Sequence, residues 1–382
     1  MRIISKRLAG LLTAVLTAVA LIPATPARAA DETPGHTEAA ALCITDARGE
    51  VLYAYNEDEE MAPASLTKVV TAMVALDSGI PLDTPIDFVE VEFPEGAQLA
   101  GYREGDTPTF GELLKVTLIY SGNDAALNVA YAVAGTRQAF AELMNEKVAE
   151  LGLTHSHFAN PHGLEEEGHY TTAHDMCVIG RYALEHYPFI REAVHTPSVT
   201  IVADGHEVTL YSTDELMGYY PGLRGIKTGN TESGASFLGS ARRGHVTLYS
   251  CALCCPSTQG RFDDTETVMD WAFGRYDSRG LADDDWVVRT APWQDGFWLR
   301  CPVTASHDAV GQVLPDAKLT YTSVMLKPAT LVGQHHVLGS TVWNQDGRLV
   351  ESVRYRSGQG TTADRAWSPL VQPAITSSAR GW

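Results

Sequence analysis

Basic side chains are scarce in this chain. Lysine and arginine number 28 against 47 aspartates and glutamates, which gives a net charge of −19. Nucleic acids and anionic lipid headgroups are bound by basic patches, so the composition argues against both as partners. The net charge says little about the charge of a small substrate, because substrate binding depends on the residues that line the cleft.

Apolar runs long enough to span a membrane comfortably are also missing. The run Leu8 to Leu21 is shorter than the about 20 residues of a transmembrane helix. Basic residues precede it and an A-x-A sequence at Ala27–Ala29 follows, which is the pattern of a secretory signal peptide. We expect residues 1–29 to be that signal, cleaved or retained as an anchor. The protein is then exported to the cell envelope or secreted.

Cysteine and histidine occur in small groups. Six cysteines follow the predicted signal: Cys43, Cys177, Cys251, Cys254, Cys255 and Cys301. An even count permits disulfides in an exported protein, although buried thiols fit the apolar strand patterns around several of them. The four histidines from His155 to His169 have no carboxylate or cysteine at a clear ligand spacing. We therefore expect a polar loop there and no metal site.

The sequence ASLTK at residues 64–68, which continues as an apolar run to Leu76, indicates a nucleophile at the start of a buried helix. On a helix, Ser65 and Lys68 lie on one face, so the amine is close to the hydroxyl. A lysine can take the serine proton only when burial or a second cation lowers its pKa. A lone Ser-x-x-Lys is also typical of a helix N-cap followed by a solvated lysine.

Two further motifs favour the catalytic interpretation. Ser-Gly-Asn at Ser121–Asn123 lies between two helical patterns, and Lys-Thr-Gly at Lys227–Gly229 lies in a predicted strand. Each alone is a common turn or strand end. The three motifs together, in this order, in a chain with only seven lysines, are a specific signal.

In these motifs the chain resembles the penicillin-binding D-alanyl-D-alanine carboxypeptidases, the low-molecular-mass branch of the active-site serine enzymes that also include the beta-lactamases. The likeness extends to Ala41–Tyr53 and to Asn160–Leu164, and it covers about residues 38–280. The chain departs from the family at Ser212-Thr213-Asp214, where Asn-Thr-Asn is usual.

The resemblance implies an α+β fold of the beta-lactamase/DD-peptidase type, in which helices flank an antiparallel sheet beside a helical subdomain. We expect this domain at residues 38–280 and, after a composition shift at Asp283–Asp285, a small all-β domain at residues 287–358. Residues 359–382 are predicted to be a tail. It has no apolar stripe, so no C-terminal membrane anchor is expected.

Two local predictions concern elements around the motifs. Between Ile80 and Thr107 the sequence predicts loops and small strands, for example the alternating Val89–Phe93. A helix is predicted over Leu113–Ile119, and another over Thr265–Phe273.

The resemblance also implies a mechanism. Ser65 attacks the carbonyl of the terminal D-Ala-D-Ala bond of a peptidoglycan pentapeptide stem, and Lys68 accepts its proton. Ser121 passes that proton to the leaving amine. Beta-lactam antibiotics, including penicillin, acylate the same serine, and the resulting acyl-enzyme is hydrolysed slowly. Neither a metal nor an organic cofactor is implied.

The substrate-binding residues implied by the resemblance follow the same motifs. Lys227 keeps its charge, binds the terminal carboxylate and helps to hold the motif lysine neutral. Thr228 adds a hydrogen bond, and Asn123 holds the substrate amide. The backbone amides of the nucleophile and of Asn230, just past Gly229, form the oxyanion hole.

Three alternatives stay open. A beta-lactamase would use the same motifs with a glutamate that activates water, and Glu165–Glu167 lie in about the right region. A DD-endopeptidase would cut peptidoglycan cross-bridges at the same site. A non-catalytic envelope protein would keep the fold and bind peptidoglycan or beta-lactams, but the chain has lost no motif residue.

Overall fold

The computed structural model describes residues 33–282, 287–293, 296–314, 318–325 and 335–358. The predicted signal peptide, the predicted tail and the acidic boundary at Asp283–Asp285 lie outside these residues. Within the described ranges, no helix combines the length and the apolar character that crossing a membrane requires.

The described chain contains seven α-helices and fourteen strands. The helices are α1 (Thr67–Asp77), α2 (Phe110–Ile119), α3 (Asn123–Ala134), α4 (Arg137–Glu150), α5 (Ala173–His186), α6 (Pro188–Ala193) and α7 (Gly260–Gly274). The strands are β1 (Ala41–Asp46), β2 (Val51–Tyr55), β3 (Ser198–Ala203), β4 (His206–Tyr211), β5 (Leu223–Thr231), β6 (Gly234–Arg243), β7 (Val246–Cys255), β8 (Asp277–Ala282), β9 (Val287–Trp293), β10 (Gly296–Ala305), β11 (Ala309–Val313), β12 (Leu319–Met325), β13 (Val337–Gln345) and β14 (Arg348–Ser357).

A five-stranded antiparallel sheet with strand order β2-β1-β7-β6-β5 lies between helix α7 on one face and α5 on the other. Alternate residues of a strand point to opposite faces, and β1 shows this directly. Ala41 and Cys43 join a core that includes α5, whereas Leu42 and Ile44 join a core that includes α7. The predicted antiparallel sheet flanked by helices is confirmed.

The helix that follows the serine motif is enclosed on all sides. Every residue of α1 from Thr67 to Ala75 is buried, and α2, α3 and α4 pack around it. An apolar run without a polar face requires such a position, so the sequence prediction of a buried helix is confirmed. The surrounding helices form the helical subdomain.

The prediction of small strands between Ile80 and Thr107 is wrong for Val89–Phe93, which belongs to no strand. The side chain of Asn128 occupies the place of a strand partner. Its Oδ1 accepts from the Val89 amide at 2.8 Å and its Nδ2 donates to the Val89 carbonyl at 3.0 Å. The alternating apolar residues of Val89–Phe93 therefore belong to a loop that is fixed by the side-chain amide of Asn128.

Helix α7 begins at Gly260, earlier than the predicted Thr265. Its first turns carry Arg261 and Asp264, which are both buried. Polar residues at inward positions break the apolar periodicity from which a helix is predicted, so the sequence shows only the second part of this helix. The short helix α6 follows directly after α5 and was not predicted.

The C-terminal part consists of strands, as predicted. Five of them form an antiparallel sheet with order β12-β13-β14-β10-β9, and β8 pairs with β11. A separate small core contains Val303, Trp343 and Val353. Strand β8 starts at Asp277, close to the predicted end of the first domain. The domain bounds themselves stay a prediction.

Asp264 ties α7 to the chain segment that leads into β1. One carboxylate oxygen accepts from the Thr37 amide at 2.6 Å, and the other accepts from the amides of Glu38 at 2.8 Å and Ala39 at 2.7 Å. Burial raises the pKa of Asp264, but these hydrogen bonds outweigh burial and hold the pKa below its ordinary value.

We expect Asp264→Asn to lower the free energy of unfolding by about 1–3 kcal/mol at pH 7, because the amide cannot replace an ionised acceptor for three donors. A carboxylate with a depressed pKa stabilises the fold above its unfolded pKa of about 3.9, and this contribution is lost as the pH falls through its folded pKa. Urea unfolding at pH 7 and below pH 4 measures the difference. The exposed neighbour Asp263→Asn is the control, and equal effects of the two substitutions would contradict the assignment.

Candidate active site

Ser65 lies in a short 3₁₀ turn, Ala64–Leu66, directly before α1. Ala64 has φ of +50°, which is unusual for a residue with a side chain and is tolerated where the surroundings fix the backbone. Two glycines provide that constraint. A Cβ on Gly163 would lie 2.0 Å from the Ala64 carbonyl oxygen, and a Cβ on Gly229 would lie 2.7 Å from the Ala64 Cβ. Close packing against these two glycines therefore holds the turn that carries Ser65 from two sides.

Lys68 is fully buried one helical turn beyond the serine. Its Nζ lies 2.8 Å from the Oγ of Ser65, 2.7 Å from the Oδ1 of Asn123 and 2.6 Å from the carbonyl oxygen of His162. Burial, followed by the charge of Lys227, holds the pKa of Lys68 well below its ordinary value. This amine therefore loses its proton more readily than an exposed lysine does.

The partners of Lys68 determine where its lone pair points. A neutral amine has two N–H bonds and one lone pair. The oxygens of Asn123 and His162 can only accept hydrogen bonds, so they take the two N–H groups. The third direction is then left for the lone pair, and it points to the Oγ of Ser65. This geometry suits an amine that removes the serine proton.

Lys227 and Thr228 lie on β5, beside the serine turn. Lys227 is buried and donates to the Thr228 carbonyl at 3.0 Å. Burial and then the nearby Arg261 lower the pKa of Lys227 to about 7. Lys227 is therefore present in both its charged and its neutral form near pH 7, and not permanently charged as predicted. A carboxylate bound beside it would raise its pKa and favour the charged form.

The predicted residues meet in one cleft of about 190 Å³. Six of them line it: Ser65, Ser121, Asn123, Thr228, Gly229 and Asn230. The two predicted lysines are buried beside it. Ser121 has φ of +72°, so a second proposed catalytic serine also has an unusual backbone. The proton relay through Ser121 and the oxyanion hole at Asn230 stay predictions.

Sequence reasoning missed several contributors to this cleft. Arg261 lines it, and its Nη1 donates to the Gly229 carbonyl at 2.7 Å. Thr213, noted in the sequence only as part of the Ser212–Asp214 segment, also lines it, and its hydroxyl is hydrogen-bonded to that of Thr228. The carbonyl of His162 could not be foreseen, because any residue would supply it. Arg261 had no motif around it, whereas the turn that contains His162 and Gly163 was noted as a part of the resemblance.

The histidine-rich loop is hydrogen-bonded to the first residue of α1, next to the predicted base Lys68. The Nδ1 of His169 accepts from the Ala159 amide at 2.9 Å, so its Nε2 carries the proton and donates to Thr67 Oγ1 at 2.9 Å. Burial lowers the pKa of His169 to about 4, and it lowers that of His162 to about 3. Across the described chain, no three His, Cys, Asp or Glu side chains are grouped to hold a metal.

Comparison with known proteins decides the family. Residues 27–256 match the model of the peptidase S11 family, described as D-alanyl-D-alanine carboxypeptidase. The chain belongs to this family. It is 32% identical over 251 residues to the D-alanyl-D-alanine carboxypeptidase DacF of Bacillus subtilis, and the match covers 64% of this chain and 64% of that relative.

Two solved structures extend the comparison. Penicillin-binding protein D2 from Listeria monocytogenes in a cefotaxime-bound form is 29% identical, with a TM-score of 0.58 over 63% of this chain and 100% of that one. Penicillin-binding protein 5 from Haemophilus influenzae is 22% identical, with a TM-score of 0.62 over 86% of this chain and 99% of that one. At that identity the second comparison supports the fold, and its coverage includes part of the C-terminal strands.

Proposed function

We propose that this chain is a serine-type D-alanyl-D-alanine carboxypeptidase that removes the terminal D-alanine from peptidoglycan pentapeptide stems through an acyl-enzyme on Ser65. The observation that carries the proposal is the environment of Lys68. Two carbonyl oxygens fix its N–H groups and leave its lone pair facing Ser65 Oγ at 2.8 Å. In its neutral form, the amine placed in this way can take the proton of the Ser65 hydroxyl.

The reaction proceeds in two balanced steps. Ser65 Oγ forms a bond to the carbonyl carbon of the terminal peptide, and its proton passes to Lys68. The peptide C–N bond breaks, Ser121 delivers the proton to the leaving nitrogen, and D-alanine departs. Water then attacks the resulting ester and restores the Ser65 hydroxyl. A beta-lactam presents a strained amide to the same serine and forms the same kind of ester.

The charges around the cleft fit a substrate that ends in a carboxylate. Lys227 is buried on β5, and Arg261 lines the cleft and donates to the Gly229 carbonyl, although the whole chain has a net charge of −19. Asn123 donates nothing to Lys68, because only its Oδ1 faces the amine. Within the described ranges no hydrogen bond of its Nδ2 is seen, so this nitrogen can donate to a substrate carbonyl, and Thr228 adds a hydroxyl.

Two of the three glutamates that could serve a beta-lactamase are engaged elsewhere. Glu165 accepts from the Ser233 amide at 2.8 Å, and Glu166 accepts from the guanidinium of Arg137 at 2.9 Å. Among the described residues that line the cleft there is no glutamate. This arrangement favours an acyl-enzyme that deacylates slowly with antibiotics.

The same proposal assigns a location and an organisation to the chain. The peptidoglycan substrate places the enzyme at the cell envelope, and residues 1–29 act as the export signal. Residues 38–280 form the catalytic domain, and residues 287–358 form an accessory β domain. The cefotaxime named with the Listeria structure supports beta-lactams as covalent ligands of this chain.

Release of D-alanine from a synthetic peptide ending in D-Ala-D-Ala tests the proposal, with Ser65→Ala as the control. A cross-linked muropeptide dimer is the second substrate. Release from the peptide by the wild type alone supports a carboxypeptidase. Cleavage of the dimer alone would replace the proposal with an endopeptidase, and no turnover of either substrate would leave a binding protein.

A further inference from the structure

Asp214 is a buried carboxylate beside the cleft. It follows Thr213, which lines the cleft, in the link between β4 and β5, and it is 9% exposed. Its Oδ1 accepts from the Leu216 amide at 3.0 Å. Its Oδ2 is buried and has no hydrogen-bond partner within the described part of the chain. Burying a carboxylate oxygen without a hydrogen-bond partner costs free energy unless nearby positive charges compensate its negative charge.

Two cations provide that compensation. Burial raises the pKa of Asp214, and the positive charges of Lys227 on β5 and Arg261 on α7 lower it. The resulting pKa is about 6. The interaction is reciprocal. Burial and then Arg261 disfavour the charged form of Lys227, and Asp214 is the group that opposes them. The geometry brings the three residues together. The hydroxyl of Thr213, next to Asp214, is hydrogen-bonded to that of Thr228, next to Lys227, and Arg261 donates to the carbonyl of Gly229 on the same strand. We call Asp214, Lys227 and Arg261 the electrostatic triad of the cleft.

We propose that Asp214 is a positioning residue that raises the protonated share of Lys227 beside Arg261, so that the cleft binds a substrate carboxylate up to a higher pH than it would without this charge. The inference rests on the proposed function, because it concerns the same carboxylate-binding end. It is specific to this chain, since Asn stands at this position in the pattern that the family usually shows. The charge thus extends the pH range over which Lys227 works.

The other groups around the triad do not replace this charge. Glu215, next in the chain, is exposed, so solvent screens its effect on Arg261 and Asp214. From β7, Cys255 acts on Arg261, but burial raises the pKa of its thiol to about 12 and leaves it neutral. Asp214 is the buried anion that remains.

Asp214→Asn removes the charge and keeps an oxygen for the Leu216 amide, so the turn is preserved. Carbon-13 NMR of labelled lysine side chains measures the effect directly, because the chain has only seven lysines. Lys227→Arg assigns the signal. We expect the titration midpoint of Lys227 to move about one pH unit lower in Asp214→Asn and to stay in place in Glu215→Gln. An unchanged midpoint in Asp214→Asn would overturn the proposal.

Two further readouts separate this role from folding and from the proposed function. The alkaline limb of benzylpenicillin acylation should move lower by the same amount, through weaker binding and not through a slower maximal rate. If the wild type forms no acyl-enzyme, the proposed function fails, while the NMR midpoint still decides the role of Asp214. If Asp214→Asn does not fold, Arg261→Gln tests whether the charges of the triad set the pKa of Lys227. Removing the Arg261 charge should raise the titration midpoint of Lys227. An unchanged midpoint would overturn the inference.

Discussion

Lys68→Met should reduce the rate of acylation by benzylpenicillin by a factor on the order of 10² or more. Methionine has a similar length but no lone pair that can accept the Ser65 proton, and loss of a general base typically costs this much. The two carbonyls of Asn123 and His162 lose their donor in this variant. However, the cost of burying an amine also disappears, so thermal stability should change far less than the rate. Stopped-flow acylation and thermal melting measure the two effects.

Lys68→Arg is the matched control for charge. A guanidinium keeps a positive charge and hydrogen-bond donors but stays protonated, so it cannot act as a base. If Lys68 acts through its lone pair, arginine fails as completely as methionine does. A substantial recovery of the rate by arginine would mean that Lys68 supplies only charge, and it would contradict the base assignment.

Gly163→Ala should impair both folding and acylation. Gly163 has φ of +93°, and an added Cβ would lie 2.0 Å from the Ala64 carbonyl oxygen and 2.9 Å from the Ser65 amide. The loop and the serine turn must separate, which moves the nucleophile away from Lys68. A displacement of about 1 Å at a reacting atom costs on the order of 10²-fold in rate. We also expect a loss of about 1–3 kcal/mol in unfolding free energy from the strained backbone.

Gly168→Ala is the control in the same loop. Gly168 also has a positive φ, +77°, but an added Cβ would meet only the His157 ring, at 3.8 Å. The two substitutions therefore share the conformational cost and differ in the contact with the serine turn. Acylation rates that fall equally in both variants would show that loop strain, and not displacement of Ser65, causes the effect.

Much of the catalytic site could be predicted because it resides in local sequence. The apolar run after Lys68 required an enclosed helix, and the spacing of Ser65 and Lys68 required their contact. The Ser121–Asn123 and Lys227–Gly229 motifs then lie at the same cleft. For these residues, type and spacing together carry the information.

The remaining parts of the site depend on contacts that no local pattern records. The hydrogen bond from Lys68 to His162 uses a backbone carbonyl, so the residue type there does not reveal it. Arg261 reaches Gly229 from a helix whose first turn lacks apolar periodicity. The strand pattern at Val89–Phe93 failed for the same reason, because a side-chain amide replaced the expected partner strand.

Intact-mass spectrometry of the protein with benzylpenicillin tests the central claim, nucleophilic attack by Ser65, most directly. We predict a persistent adduct of one antibiotic molecule on the wild type and none on Ser65→Ala, with peptide mapping placing the adduct on Ser65. An adduct of equal yield on Ser65→Ala would contradict the assignment of the nucleophile. Consumption of the antibiotic without an accumulated adduct would contradict slow deacylation and indicate a beta-lactamase instead.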